Sequence, residues 1–293
     1  MNTYPDINGA LTALITPFKD GKTDFSSLEK IIEFQINSGI SGLVVSGTTG
    51  ESATLSDCEK SELFSFAVKT VNGRVPVIGG TGTNSTDAAL KLTDAATRAG
   101  CDALLVVTPY YNKASPDGLY RHYSKLASRT PLPIIAYNVP SRTGVNIPID
   151  VLKSLYEDGS IAGLKEASGD ISRVAQIAER LPKMAIYSGN DDQILPIMSL
   201  GGKGVISVVS NVLPRETEAL CRAASAGDFK KARELQFAIL PTVSLLFSDI
   251  NPIPIKYLMH KMGLCRLEYR LPLTPPTKEL QEKLDELVEK YYS

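Results

Sequence analysis

Eight short runs of apolar, largely β-branched residues recur along the chain, and they constrain its possible folds more than any other feature. They lie at 10–18 (ALTALITPF), 42–50 (GLVVSGTTG), 75–82 (VPVIGGTG), 103–111 (ALLVVTPYY), 133–140 (PIIAYNVP), 161–168 (IAGLKEAS), 184–191 (MAIYSGND) and 204–211 (GVISVVSN). Each ends in small or polar residues. Runs without polar alternation read as strands buried on both faces. Between them lie segments with helical spacing, such as Leu28, Ile31, Ile32 and Ile36 in the first, where Gln35 breaks the apolar stripe. Ser26 with Glu29 and Ser56 with Glu59 have the spacing of a capping box. Pro116 stands just inside another helix start, while Gly39 and Gly73 stand where a left-handed residue ends a helix. Strands alternating with helices eight times predict a closed parallel (β/α)8 TIM barrel of the α/β class.

No strand run follows residue 211, and the segments at 214–226, 228–247, 253–262 and 276–292 read as helices. The predicted organisation is a catalytic barrel over residues 1–226 and a C-terminal helical extension over 227–293. A chain of 293 residues, 43% of them hydrophobic, can bury a core of that size. Its net charge of -1, spread along the whole length, offers no footprint for nucleic acid or an anionic membrane. The N-terminal segment MNTYPDINGALTALITPF lacks the pattern of a secretory leader. No apolar run approaches the ~20 residues of a membrane span. A soluble, cytoplasmic protein is expected. The cysteines, Cys58, Cys101, Cys221 and Cys265, form no C-x-x-C pair, and two histidines, His122 and His260, do not suggest a metal site.

Barrel enzymes carry their reacting groups at the C-terminal ends of the strands. Those ends are polar here: Thr48-Thr49-Gly50-Glu51, Tyr110-Tyr111, Tyr137-Asn138, and Lys165 directly after Ile161-Ala162-Gly163-Leu164. A lysine inside an apolar strand is costly while it stays charged. Desolvation that moved its pKa from ~10.4 toward about 7 to 8 would make it an amine nucleophile. The other reading is a lysine that reaches solvent or pairs with Glu166 or Asp170. Tyr137 either exchanges a proton with the carbinolamine oxygen formed when an amine attacks a ketone, or is a core aromatic. The Thr48-Thr49-Gly50 turn offers hydroxyls and amides to a carboxylate, or is an ordinary turn. Arg142 could grip a second carboxylate, or is a solvated surface residue. The Gly79-Gly80-Thr81-Gly82 stretch is only a weak phosphate signal. Asp191, Asp192 and His122 have no evident chemical role and read as structural or surface residues.

Taken in order, Gly47-Thr48-Thr49-Gly50-Glu51, Pro109-Tyr110-Tyr111, Tyr137 to Gly144 (YNVPSRTG), Gly163 to Ser168 (GLKEAS) and Asn251 to Lys256 (NPIPIK) make the chain resemble the dihydrodipicolinate synthases along nearly its whole length. These belong to the pyruvate-dependent class I aldolases. The resemblance implies that Lys165 forms an imine with pyruvate and that the enamine attacks aspartate semialdehyde, without an external cofactor or metal. It implies that Tyr137 and Thr49 share a proton relay with Tyr111, which reaches into a neighbouring subunit, so that the protein is a homo-oligomer, commonly a tetramer. Thr48 and Thr49 would hold the pyruvate carboxylate and Arg142 that of the semialdehyde. Gly189 and Ile206 would line the pyruvate pocket, although Ser188-Gly189-Asn190-Asp191 matches the family pattern only in part.

Two other readings share the scaffold: another pyruvate-dependent aldolase such as sialic acid lyase, and a barrel that binds a keto acid without turning it over. Ser141-Arg142-Thr143 argues against the first, and the full set of Lys165, Tyr137, Tyr111 and Thr49 against the second. The resemblance also implies an allosteric lysine pocket including Ser52, Ala53, Asn84 and Tyr110. Asp57, Lys60 and Ala88 stand where lysine-sensitive relatives carry histidines and a glutamate, so weak or absent feedback inhibition is expected.

Overall fold

A computed structural model of the chain describes residues 7–292; the first six residues of the N-terminal segment lie outside them. Its centre is a closed barrel of eight parallel strands: Gly9–Ala13, Gly42–Val45, Val77–Gly80, Ala103–Val107, Ile134–Asn138, Gly163–Glu166, Ala185–Ser188 and Gly204–Ser207. The last pairs with the first, Ile206 opposite Leu11, and closes the ring. Each strand overlaps one apolar run and ends before the run does. The rest of the run turns across the C-terminal mouth, which is why every run ends in small or polar residues.

Side chains alternate between two buried environments. Leu11, Val44, Ile78, Leu105, Ile135, Tyr137, Tyr187 and Ile206 fill the barrel interior. Leu43, Val45, Val77, Leu104, Val106, Leu164, Ile186 and Val205 face outward beneath the helices. Register decides the site's arrangement: Tyr137 stands opposite Lys165, and Asn138 opposite Glu166. With Tyr137 and Lys165 turned into the barrel, Asn138 and Glu166 must face out.

Several helix signals hold. Ser56 and Glu59 form the capping box of Asp57–Val71, and Pro116 opens Pro116–Ala127 behind the N-cap Ser115. Gly39 and Gly73 have positive φ, 82° and 71°. Two readings need correction. The first helix, Phe25–Asn37, is capped by Asp24 rather than Ser26, because the Asp24 carboxylate accepts from the Ser27 amide and hydroxyl. Gln35 does not break the buried face. It is fully buried, accepts from Thr12 and donates to the Ser210 and Asn211 carbonyls, so its amide is satisfied within the core. A two-stranded hairpin, Phe18–Lys19 with Lys22–Thr23, was not foreseen.

Beyond the barrel strands come the helices Pro214–Ser225, Phe229–Leu246, Ile253–Lys261 and Lys278–Tyr292. The second of these is tied to the barrel by Gln236, which donates to the Asp191 carbonyl and accepts from the Leu195 amide. The third brings Lys256 to Glu51. Among the described residues no helix is long and apolar enough to cross a membrane.

Candidate active site

Lys165 is buried on the interior face of the sixth strand, with its Nζ 4.3 Å from the centre of the Tyr137 ring. Burial brings its ammonium down to about 8; Asp191 opposes this by attraction and Arg142 adds to it by repulsion. Neither carboxylate named in the other sequence reading engages it. Glu166 faces outward, where Asn138, the Ser168 amide and Arg173 donate to it. Asp170 caps the helix Ile171–Arg180. Glu166 and Asp170 are thus engaged elsewhere, and burial brings the amine within reach of its neutral form.

Tyr137 is the neighbour that can move a proton. Burial raises its phenol pKa, Arg142 lowers it, and a hydrogen bond with Thr48 lowers it further. This corrects the relay expected from the resemblance: within the chain Tyr137 meets Thr48, whereas the Thr49 hydroxyl accepts from the Asn251 side chain at 3.0 Å. The carbonyls of Gly47 and Thr48 accept from Gly50, Glu51 and Ser52, which tightens the turn and leaves the Thr48 and Thr49 amides without a partner among the described residues. Such converging amides suit a carboxylate. Glu51, at φ 53°, anchors the turn from below through a fully buried ion pair with Lys256 and a bond from the Arg270 amide.

Arg142 sits on a single helical turn, Pro140–Thr143, directly after the fifth strand. It is exposed, yet it lines the mouth and donates to the Asn251 carbonyl at 3.2 Å. Asn251 thus bridges Thr49 and Arg142, a role that sequence reasoning missed; its place in the NPIPIK motif was the available signal. Its side-chain oxygen is buried and has no partner among the described residues.

Gly189 has a steric reason to be glycine. A Cβ there would lie 2.6 Å from the Ala167 Cβ and 3.1 Å from the Lys165 Cε, so the lysine arm rests across it. Ile206 is fully buried in the interior cluster with Tyr137. Asp191 belongs here too and is not at the surface: it is buried, and one carboxylate oxygen accepts from the Val208 and Val209 amides. Asp192 is exposed. His122 is buried between helices and bonded to Thr86. Tyr111 is not brought to the other groups. It is 90% exposed, with φ 73°.

A cavity of about 290 Å³ connects Thr48, Tyr137, Arg142 and Asn251 with Ser52, Ala53, Lys60 and Tyr110. Asn84 does not line it; its carbonyl accepts from Asn112. Lys60 is buried, with its pKa lowered by desolvation against the attraction of Asp57.

A buried amine of lowered pKa, a tyrosine in register with it and a turn whose Thr48 and Thr49 amides have no partner among the described residues are the parts of a barrel lyase that works through a Schiff base. The chain belongs to the dihydrodipicolinate synthetase family, whose model matches residues 6–291. It is 44% identical over 286 residues to the 4-hydroxy-tetrahydrodipicolinate synthase of Hydrogenobaculum sp., covering 97% of this chain and 99% of that one. The crystal structure of dihydrodipicolinate synthase from Aquifex aeolicus superimposes with a TM-score of 0.96 at 44% identity, covering 97% and 98% of the two chains. The chloride-inhibited enzyme from Acinetobacter baumannii, complexed with pyruvate, gives 0.94 at 43% identity, covering 97% and 98%.

Proposed function

We propose that Lys165 is the covalent nucleophile in the condensation of pyruvate with L-aspartate 4-semialdehyde to 4-hydroxy-tetrahydrodipicolinate, on the route to lysine and diaminopimelate. The observation that carries this reading is the buried amine, brought to about 8 and lying 4.3 Å from the centre of the Tyr137 ring. The neutral amine adds to C2 of pyruvate, whose carboxylate lies on the Thr48-Thr49 turn. Tyr137 protonates the former carbonyl oxygen and recovers the proton lost by nitrogen, leaving a neutral carbinolamine. It then protonates the hydroxyl, water departs, and an iminium remains opposite a phenolate. The phenolate takes a proton from C3 to give the enamine.

The enamine carbon attacks the aldehyde of the second substrate, whose carboxylate pairs with Arg142, and Tyr137 protonates the new alkoxide. The substrate's own amine then attacks C2 and passes a proton to the phenolate. The remaining proton of the ring nitrogen then passes to the Lys165 nitrogen, the C2–Nζ bond breaks as the ring C=N bond forms, and Lys165 leaves as the free amine. One water leaves over the cycle and no redox partner is needed. Gly189 and Ile206 give the lysine arm and the pyruvate methyl group their room.

Tyr111 supports a shared relay, because a tyrosine so exposed at a strand end serves a neighbouring copy better than its own barrel. We therefore take the protein to be a homo-oligomer, a tetramer built from dimers, working in the cytoplasm. Residues 1–226 form the catalytic barrel and 227–293 the extension that braces its mouth. Buried Lys60 disfavours a lysine cation in the cavity lined by Ser52, Ala53 and Tyr110, so free lysine inhibits weakly or not at all. Half-maximal inhibition by submillimolar lysine would refute that part.

The central test is intact-protein mass after incubation with pyruvate and borohydride, for wild type and Lys165→Ala, followed by turnover of the semialdehyde. An adduct confined to wild type, with turnover, is expected. An adduct without turnover points to another aldolase, and no adduct sinks the reading.

A further inference from the structure

Asp191 is a buried carboxylate to which the catalytic scheme above gives no task. It follows the seventh strand, two residues beyond the glycine on which the Lys165 arm rests. It is 1% exposed and held from three sides. Its Oδ2 accepts from the Val208 and Val209 amides at 3.0 and 2.9 Å, Ser207 bonds to the carboxylate, and its backbone carbonyl accepts from Gln236 of the helix Phe229–Leu246. Its Oδ1 has no partner among the described residues. A buried carboxylate with one oxygen fixed and the other bare is costly unless a cation faces it.

The cation is at hand. Lys165 stands on the neighbouring strand opposite Tyr187, its Cε 3.1 Å from where a Gly189 Cβ would lie, and although burial lowers the Lys165 pKa and raises that of Asp191, the attraction between the two works against both shifts. The other charged or titratable groups around them cannot take the same part. Arg142 repels Lys165, and Tyr137 stays protonated until it acts. Tyr187, the ladder partner of Lys165, spends its hydroxyl on the Ile7 carbonyl. Glu166 faces outward, and the Cys221 thiol beside Asp191 is kept neutral by burial.

We propose that Asp191 is a positioning residue for the Schiff base: the fixed counter-charge that holds Lys165 as ammonium before pyruvate arrives and then stabilises the positively charged iminium. The inference rests on the Schiff-base reading. Asp191 takes no proton and forms no bond. Its charge stays in place while the positive charge on nitrogen disappears at the neutral amine, returns at the iminium and disappears again at the enamine. A stationary negative charge therefore favours the iminium relative to its neutral precursor, which an oriented hydrogen bond alone would not do.

The test measures the rate of borohydride-trapped pyruvate adduct against pH in wild type, Asp191→Asn, Asp191→Ser and Asp191→Glu, each checked for a wild-type melting transition. Asn accepts the same two amides through its side-chain oxygen, so it removes charge and keeps the bonds; Ser is a second neutral variant if Asn does not fold. The expected result is a pH midpoint lowered by ~1 unit in the neutral variants, with the adduct at equilibrium reduced roughly tenfold above that midpoint. Glu restores the midpoint even if its rate is lower. A neutral variant with the wild-type midpoint, whether its rate is unchanged or reduced, would overturn the proposal and leave Asp191 as a brace for the Val208-Val209 turn. No adduct in wild type would instead sink the Schiff-base reading and this inference with it.

Discussion

Lys165 and Tyr137 face each other in the ladder between the fifth and sixth strands, and the amine nitrogen lies 4.3 Å from the centre of the aromatic ring. Parallel register fixes this pair, since neighbouring strands bring residues of equal depth together and turn them to the same face. Nucleophile and proton carrier are thus held by the barrel itself rather than by loops. Tyr137→Phe keeps the ring and removes the proton; turnover is expected to fall ~10²–10⁴-fold while slow trapping with pyruvate survives. Equal trapping rates for variant and wild type would remove Tyr137 from imine formation.

The acid limb of the pyruvate-dependent step reports on Lys165. Only the neutral amine attacks, and its folded pKa is about 8, so kcat/KM for pyruvate should rise with pH through that value and level off above it. A limb near the ~10.4 of a solvated lysine would mean that the amine is not desolvated in solution.

Gly189→Ala tests the seat beneath the lysine arm. The added methyl meets Ala167 and the Lys165 Cε, and crowding of this kind costs about 1–3 kcal/mol. Denaturant titration should show that loss, and adduct formation should fall further than for a surface Gly→Ala change. Wild-type stability and trapping together would mean that the seventh strand can yield.

Lys256 and Glu51 form an ion pair with both side chains fully buried, joining the C-terminal helices to the Thr48-Thr49 turn. Lys256→Met leaves Glu51 as an uncompensated buried charge, and breaking such a pair costs about 3–5 kcal/mol. The denaturation midpoint should drop accordingly, and KM for pyruvate should rise as the turn loosens. A lower midpoint with unchanged KM would separate the pair from the site.

Glu59 pairs with Arg270, which brings its carboxyl down to about 2. A carboxylate more acidic in the folded state than in the unfolded one stabilises the fold above its unfolded pKa, near ~4.3, and loses that contribution as pH falls toward 2. Melting temperature should therefore fall more steeply over that window in wild type than in Glu59→Gln. Parallel curves would mean that the pair adds nothing in solution.

Most of the barrel was legible because its strands are buried on both faces, so each announces itself as an uninterrupted apolar run. Lys165 stood out for the same reason, as a charge where no charge is expected. Residues whose meaning depends on distant partners were not legible. Gln35 looks like a flaw in an apolar stripe until the Ser210 and Asn211 carbonyls are placed above it. Asp191 and Asp192 look alike in sequence, adjacent acids that read as structural or surface residues, yet Asp192 is exposed and Asp191 is buried. Thr48 and Thr49 are adjacent and chemically alike, and only the turn geometry assigns one to Tyr137 and the other to Asn251. The Asp24 cap was hidden by the better-known spacing of Ser26 and Glu29.

Tyr111 is held in a left-handed conformation and is 90% exposed. If its hydroxyl completes a neighbour's relay, each barrel owns its nucleophile but borrows part of its acid. Specific activity then becomes a function of protein concentration, and dilution alone acts as an inhibitor without altering a single atom of Lys165 or its surroundings.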